Sequence, residues 1–311
     1  MLGKKIGPIL LSCMAIFFTS FTVKDAIKPQ KQTLRRIVID AGHGGTDFGA
    51  SGKYSHEKDI ALAVALKLQQ TINEEMPEVE VVMTRTTDVF DHVHVKANKA
   101  NAAKGDLFVC IHCNDAGSVQ HKEPDGYKTV TYKKKGKKLT KKVMQYRYWT
   151  SPSPAKGTET YVWGVGKTGA KEEALKENDY LVVDSTGEKE LVNFDRNDPT
   201  QMVAISLKTQ QYAERSRNLA LTLEDEFAKS GRISRGAKQR DEKGIWVLQA
   251  VAMPAILVET GFVSDPDEED YLNSKQGQQE IAETIVKALK RYKYSLDNKM
   301  IGNSNRTASP K

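Results

Sequence analysis

The chain has 311 residues, of which 39% are hydrophobic and 28% are charged, and its formal net charge is +7 at pH 7. This composition is typical of a soluble globular protein, and it excludes a disordered chain and a polytopic membrane protein. The three cysteines are too few for a fold that depends on a disulfide framework.

The first 22 residues have the pattern of a cleaved export signal. Lys4 and Lys5 precede a short apolar run that small residues follow. The run is shorter than the roughly 20 residues that span a bilayer, so we expect cleavage rather than an uncleaved anchor, with no stable membrane insertion afterwards. Cys13 ends a sequence similar to a lipoprotein cleavage box, but too few apolar residues precede it to favour lipidation. We expect residues 23–34 to form a polar linker.

From residue 35 onwards, hydrophobic periodicity predicts alternating strands and helices. In chain order these are a strand over residues 36–40, a helix from residue 57 to about residue 77, a strand over 79–84, a helix over 95–104 and a strand over 107–111. After two insertions they continue with a strand over 158–163, a helix over 206–230, strands over 245–248 and 255–258, and a helix over 276–292. The alternation indicates an α/β domain with parallel strand pairing over residues 35–294. The polar residues 295–311 are expected to form a disordered tail.

The first insertion, residues 117–156, is strongly basic. It carries eleven lysine and arginine residues against two acidic residues, a net charge of +9. Alternation over residues 127–132, a turn at 135–137 and a return over 139–149 predict a β-hairpin with five aromatic residues near its base, Tyr127, Tyr132, Tyr146, Tyr148 and Trp149. Its charge could bind an anionic envelope polymer or an acidic partner; the alternative is a solvated loop that only keeps the protein soluble. Nucleic acid is not expected as a partner of an exported protein.

Two of the six histidines lie where open α/β sheets place their ligands. His43 and His112 each follow a predicted buried strand, at its carboxyl end. Glycines flank His43, so the backbone there could approach a ligand closely, and Glu57 opens the next predicted helix. Two imidazoles and one carboxylate with an open fourth position form a catalytic zinc pattern.

Other interpretations of the histidines stay open at this point. The two strand-end histidines could be hydrogen-bonded rim residues without a metal. His56 could replace Glu57 as the third ligand. His92 and His94 could bind a metal by themselves if their segment were extended, because residues i and i+2 of a strand share a face.

Two cysteines and one acid lie beside the predicted strand ends. Cys110 and Cys113 would be roughly 10 Å apart between Cα atoms in an extended strand, which is too far for a disulfide. Cys110 is therefore interpreted as a small core residue below His112. Glu259 ends an apolar strand, where poor solvation would raise its proton affinity unless a cation compensates. Beside a metal it could act as general base and then as general acid; the alternative is a capping or salt-bridged acid.

Six motifs follow one another between about residues 35 and 294. They are residues 39–45 (Ile-Asp-Ala-Gly-His-Gly-Gly), Glu57 at a helix start, residues 107–114 around His112, residues 157–161 (Gly-Thr-Glu-Thr-Tyr), residues 234–236 (Ser-Arg-Gly) and residues 253–262, which end in Glu-Thr-Gly-Phe. Together they resemble the zinc-dependent N-acetylmuramoyl-L-alanine amidases of the amidase-3 family. The resemblance implies a single α/β domain with a mixed, mostly parallel sheet covered by helices on both faces. It assigns His43, Glu57 and His112 as zinc ligands and Glu259 as the catalytic glutamate.

The resemblance also implies an activity. A member of this family would use Zn²⁺ to hydrolyse the amide between the lactyl group of N-acetylmuramic acid and the L-alanine of the peptidoglycan stem peptide. Arg235 is a candidate substrate contact. The chain departs from the family at Cys110 and Cys113, where Ser and Ala are usual, and at Lys96, where Arg is frequent. These changes would affect packing, and could affect substrate contacts, rather than the metal ligands.

Two alternatives to this activity are a zinc peptidase that acts on the stem peptide and a peptidoglycan-binding scaffold without catalysis. The export signal, together with the absence of a recognisable wall-binding repeat, favours the periplasm as the location.

The second insertion, residues 164–205, is acidic, with nine acidic residues against five basic ones. Division-associated amidases of the family carry a regulatory segment at the corresponding place, where a helix covers the zinc cleft until a protein activator displaces it. A helix is predicted over residues 168–180, and Glu172, Glu173 or Glu177 could reach the open zinc position. The alternative is an acidic helix that packs elsewhere and only shapes the groove.

Overall fold

The computed structural model describes residues 34–178, 181–183, 189–191, 198–240 and 244–306. The expected export signal, and the expected linker except for its last residue, lie outside this range. That last residue, Leu34, is buried in the core rather than part of a polar linker. In the part of the chain that is described, no helix combines the length and the apolar character needed to cross a membrane.

The described residues form ten strands and seven α-helices. They are β1 (Arg36–Ala41), α1 (Glu57–Glu75), β2 (Glu80–Met83), α2 (Val93–Ala102), β3 (Leu107–Asn114), β4 (Ser118–Lys134), β5 (Lys137–Pro152), β6 (Thr158–Val162), α3 (Thr168–Asn178), β7 (Leu181–Val183), β8 (Lys189–Leu191), α4 (Pro199–Lys229), β9 (Ser234–Gln239), α5 (Trp246–Ala250), β10 (Ala255–Phe262), α6 (Pro266–Asn273) and α7 (Lys275–Arg306). A short 3-10 helix, Val165–Lys167, leads into α3.

The central sheet has six strands in the order β2-β1-β3-β10-β6-β9. All neighbours are parallel except β10 and β6, which are antiparallel. The carboxyl ends of β1, β3 and β10 therefore meet at one edge of the sheet, beside the beginning of β6. The register places Glu259 of β10 between His112 of β3 and Glu159 of β6. The expected mixed, mostly parallel α/β fold is confirmed.

The sheet has an apolar core on each face, because side chains of a strand alternate between faces. On β3, Val109 and Ile111 belong to the core under α1, α7 and the end of α4, while Phe108 and Cys110 belong to the core under α2, α3 and α5. Cys113 lies on the opposite face from Cys110, and both thiols are free and buried. The interpretation of Cys110 as a core residue is confirmed.

Several elements differ from the sequence expectations: α6, β7 and β8 were not predicted, and α4 begins at Pro199 rather than at residue 206. Residues 246–250 form the short helix α5 and not a strand, since periodicity cannot separate helix from strand in so short an apolar run. The edge strand β9 was not expected as a strand because it carries no apolar run. Residues 295–306 continue α7 instead of forming a disordered tail, and Leu296 packs against the core.

The basic insertion forms the predicted hairpin from β4 and β5. Its turn contains Lys135 and Gly136 with φ of 50° and 77°, the left-handed pair that a two-residue hairpin turn prefers. The aromatic residues are not all near the base, however. Tyr132 pairs with Leu139 close to the turn, whereas Trp149 pairs with His121 in the lower half.

Candidate metal centre

Three potential metal ligands converge at the carboxyl edge of the sheet. His43 follows β1, His112 lies near the end of β3, and Glu57 is the first residue of α1. One ligand atom from each lies within 4.8 Å of the others. The structure thus brings together the three residues that the sequence suggested.

Glycines make this convergence possible. His43 itself has a left-handed backbone with φ of 56°. A Cβ atom on Gly42 would lie only 2.6 Å from the His112 ring, and one on Gly49 would lie 2.5 Å from Glu57 Oε2. Any side chain at Gly42 or Gly49 would therefore push the ligands apart.

The Glu57 carboxylate lies between the two imidazoles. Its Oε2 is 3.1 Å from His43 Nε2, and its Oε1 is 2.7 Å from His112 Nδ1. The backbone N–H groups of Ala50 and Cys113 also donate to it, at 2.8 and 3.0 Å. Burial opposes ionisation, but the hydrogen bonds with the imidazoles outweigh it and hold the pKa of Glu57 well below its usual value. A fixed carboxylate between two imidazole nitrogens is a donor set that fits zinc.

Asp47 orients the first ligand. Its Oδ2 lies 2.8 Å from His43 Nδ1, which directs Nε2 of the same ring towards Glu57. Burial lowers the pKa of His43, but the carboxylates of Glu57 and Asp47 outweigh burial, so the net direction is upward. Sequence reasoning missed Asp47, although its spacing of four residues from His43 could have suggested it.

Two buried cations donate hydrogen bonds to the backbone around His43. Lys96 Nζ donates to the carbonyl oxygens of Ala41 and His43 at 2.6 and 3.2 Å, and Arg85 Nη2 donates to that of Gly42 at 2.7 Å. Both side chains are almost fully buried. The backbone that carries His43 is thus fixed by charged donors that hydrophobic periodicity could not reveal.

A second group of possible ligands consists of Asp40, Cys110 and His112, and one ligand atom from each also lies within 4.8 Å of the others. Cys110 Sγ donates to Asp40 Oδ2 at 2.9 Å, and burial raises the pKa of this thiol well above its usual value. Because only a thiolate is a good zinc ligand, this group fits a metal less well than His43, Glu57 and His112.

Glu259 stands beside the ligands as a nearly buried acid, 8% exposed, in register with His112. Its Oε2 atom has no hydrogen-bond partner among the residues that the structure describes. Burial is the main reason that the pKa of Glu259 is raised, to about 7. A carboxyl group with this pKa can both accept and release a proton near neutral pH. The alternative of a capping or salt-bridged acid does not match these contacts.

On the far side of Glu259 lies an ion cluster centred on Glu159. Arg235 Nε and Lys238 Nζ both donate to Glu159 Oε1, the latter at 2.6 Å. Burial opposes ionisation of Glu159, but the hydrogen bonds from Lys238, Arg235 and Tyr161 outweigh it and lower its pKa to about 2. The structure places Arg235 in this cluster, and its role as a substrate contact stays a prediction; Lys238 and Glu159 were not anticipated as site residues.

The alternative histidine ligands lie elsewhere. His56 precedes α1 and contacts Ser51, 3.0 Å from its Nδ1. His92 caps the amino end of α2, where its ring stacks on that of His94 at 4.9 Å. Because this segment is helical and not extended, the condition under which this pair could bind a metal is not met.

The acidic candidates for autoinhibition are not brought to the ligands. Helix α3 forms, but Lys171 anchors it to the carbonyl oxygens of Leu248 and Met253, at 2.9 and 2.6 Å. Met253 precedes β10, so it lies roughly 20 Å from Glu259 at about 3.3 Å per strand residue. The structure therefore places α3 away from the metal ligands, as the alternative of a helix packed elsewhere requires. The acids concerned are Glu172 and Glu173; the side chain of Glu177 lies outside the described residues.

Comparison with known proteins identifies the family. Residues 37–291 match the N-acetylmuramoyl-L-alanine amidase family, so the chain belongs to it and the resemblance noted in the sequence is confirmed. The chain is 33% identical to the N-acetylmuramoyl-L-alanine amidase AmiC of Escherichia coli O6:H1 over 82% of its own length and 52% of that protein. It is 31% identical to AmiC of Neisseria meningitidis serogroup B, with the same two shares, and so spans about half the length of these relatives.

A solved structure supports the fold. The N-acetylmuramoyl-L-alanine amidase from Clostridium difficile 630 superposes with a TM-score of 0.52 and 24% identity, covering 84% of this chain and 97% of that chain. At this identity the likeness speaks for the fold alone.

Proposed function

We propose that the chain is a zinc-dependent peptidoglycan amidase, which hydrolyses the amide between N-acetylmuramic acid and the L-alanine of the stem peptide. Family membership supports this proposal. The observation that carries it is the unpartnered, nearly buried carboxyl of Glu259 directly beside the cluster of His43, Glu57 and His112.

His43, through Nε2, and His112, through Nδ1, would hold Zn²⁺ together with a Glu57 oxygen, since these are the atoms that face one another. When bound there, Zn²⁺ supplies Lewis-acid chemistry, which polarises a carbonyl and makes water a nucleophile near neutral pH.

Glu259 would perform the proton transfers. Its nearly buried carboxyl beside the three candidate ligands suits a group that removes a proton from the attacking water and returns it to the amine that leaves. Because its Oε2 has no protein partner among the described residues, that atom is available to the water. The buried surroundings of the carboxyl also keep bulk water from competing for the proton.

The location and the partners belong to the same proposal. The basic and apolar pattern of the first 22 residues supports export, with the periplasm as the expected location. A protein activator stays a prediction, and the position of α3 away from the metal ligands does not support it.

The test uses purified sacculi and zinc-loaded protein. Release of stem peptides with a free L-alanine amino terminus is the expected result; a peptidase would cut within the stem, and a scaffold would release nothing. Glu259→Gln should retain zinc and lose turnover, whereas His43→Ala and His112→Ala should lose both. Loss of zinc from Glu259→Gln would show that its assigned role is wrong.

The control variant is Glu172→Gln, an acid of α3 that the structure places away from the ligands. Its turnover should equal that of the unaltered protein. A clear increase would instead revive the autoinhibitory role of this helix.

A further inference from the structure

Two cations of β9, Arg235 and Lys238, lie on the side of Glu259 that is opposite to the metal ligands. Arg235 and Lys238 both hydrogen-bond to Glu159, and Glu159 is the direct cross-strand neighbour of Glu259. Their side chains are 37% and 35% exposed, whereas that of Glu159 is 4% exposed. The buried acid is thus paired with two cations whose side chains are about one third exposed.

Contacts within the protein fix this arrangement. The second oxygen of Glu159 accepts hydrogen bonds from the Tyr161 hydroxyl at 2.7 Å and from Asn114 Nδ2 at 3.1 Å. Asn114 lies two residues beyond the candidate ligand His112 on the same strand, so its hydrogen bond connects the Glu159 cluster to the strand that carries His112. Glu159 has both oxygens occupied and is held in one position.

The guanidinium of Arg235 has donors left over with which it could bind a further anion. Its guanidinium lies over the Phe262 ring at 5.0 Å, and its Nε donates to Glu159. Within the described part of the chain, its two terminal nitrogens have no hydrogen-bond partner. These two nitrogens form the planar fork that matches a carboxylate. Two positive charges against one buried negative charge leave the cluster with a net charge of +1.

We propose that Arg235 and Lys238 form a subsite for a carboxylate of the stem peptide, on the leaving-group side of the scissile amide. This deepens the proposed function and rests on it. Notably, β9 lies two strands from β10, which is roughly 10 Å at about 4.8 Å per strand.

The order of strands sets the direction of the substrate. The scissile carbonyl must face the metal ligands on β1 and β3, and the leaving amine must face Glu259 on β10, which protonates it. The peptide that follows the amine therefore runs towards β9. About three extended residues span 10 Å, so the subsite selects an acidic group one or two residues after the L-alanine.

The experiment compares two preparations of uncrosslinked peptidoglycan strands. Their second peptide residue, a γ-linked D-glutamyl group, carries either a free α-carboxylate or the corresponding amide. The unaltered protein should cleave the carboxylate form with a kcat/KM about tenfold higher, the effect of one charge-assisted hydrogen-bond pair in a half-exposed site. The ratio of the kcat/KM values for the two substrates, measured on one protein, does not depend on the fraction of that protein that is folded.

Arg235→Gln and Lys238→Gln should each reduce this preference, while Arg235→Lys should retain part of it. The matched control is Arg291→Gln, since Arg291 is also a half-exposed arginine paired with carboxylates, on α7; its preference should be unchanged. Equal cleavage of both forms by the unaltered protein, or a preference that survives both glutamine variants, would overturn the subsite while leaving the amidase function standing. Cleavage of neither form would overturn the proposed function itself.

Discussion

Replacing Asp47 should weaken zinc binding without changing the fold. Asp47 Oδ2 accepts the Nδ1 proton of His43 at 2.8 Å and so keeps the lone pair of Nε2 directed towards the other ligands. Asp47→Ala removes this acceptor and lets the ring exchange tautomers and rotate. Asp47→Asn keeps an acceptor and removes only the charge, so its effect should be intermediate. The backbone pair between Gly44 and Asp47 needs no side chain and persists in both variants.

The structure sets the size of the effect. Carboxylate partners of metal-bound histidines contribute roughly 10- to 100-fold to metal affinity. The Asp47 side chain is 46% exposed, so solvent screens its charge and the lower end of this range applies. We therefore expect a loss of about tenfold for Asp47→Ala, equivalent to about 1.4 kcal/mol.

Competition with a coloured chelator at fixed pH measures the zinc affinity directly. Asp225→Asn is the matched control, because Asp225 is 47% exposed, is paired with Lys229 and Arg291, and lies on α4. An affinity of Asp47→Ala within twofold of the unaltered protein would refute the orienting role. An equal loss in the control would show that the measured change reflects overall stability.

Two further predictions concern charge. The pKa of Glu159 is lowered from 4.5 to about 2, so its ionised form contributes stability that is present above pH 4.5 and is lost as the pH falls towards 2. The difference in free energy of unfolding between the unaltered protein and Glu159→Gln, measured with urea, should therefore shrink as the pH falls from 4.5 to 2. A difference that stays constant over this range would contradict the prediction. The hairpin tip, residues 133–142, carries seven lysines and no acid, so binding to purified sacculi should weaken with added salt and with deletion of these residues; salt-insensitive binding, or binding that survives the deletion, would exclude the electrostatic role.

The convergence of the three candidate ligands was predictable because each stands at a boundary that the sequence marks. His43 and His112 end apolar strands, and Glu57 begins an amphipathic helix, so topology alone places the three together. The residues that hold these candidate ligands in place do not stand at such boundaries. Lys96 lies in a short helix rich in alanine and lysine, and nothing in its periodicity distinguishes it from the exposed Lys99.

The position of Glu259 could likewise be predicted from the sequence, whereas that of its cross-strand neighbour Glu159 could not. An acid at the end of an apolar strand is rare enough to attract notice. Glu159 lies in a strand that the pattern did predict, but the antiparallel step from β10 to β6 became visible only in the structure. Without that step, Arg235 and Lys238 cannot be assigned to the same edge of the sheet as Glu259.

The acidic insertion shows why charge and length alone are weak guides to regulation. Lys171 is fully buried and lies 4.6 Å from the centre of the Trp163 ring, and Leu175, one turn further along α3, is also fully buried. Moving α3 onto the metal ligands would expose Leu175, at a cost of about 1.5–3 kcal/mol, and would remove the hydrogen-bond donor from several buried carbonyl groups. The glutamates beside Lys171 could offset this only by binding the metal, and the same anchor holds them away from it. Autoinhibition by α3 would therefore require the contacts of Lys171 and Leu175 to break.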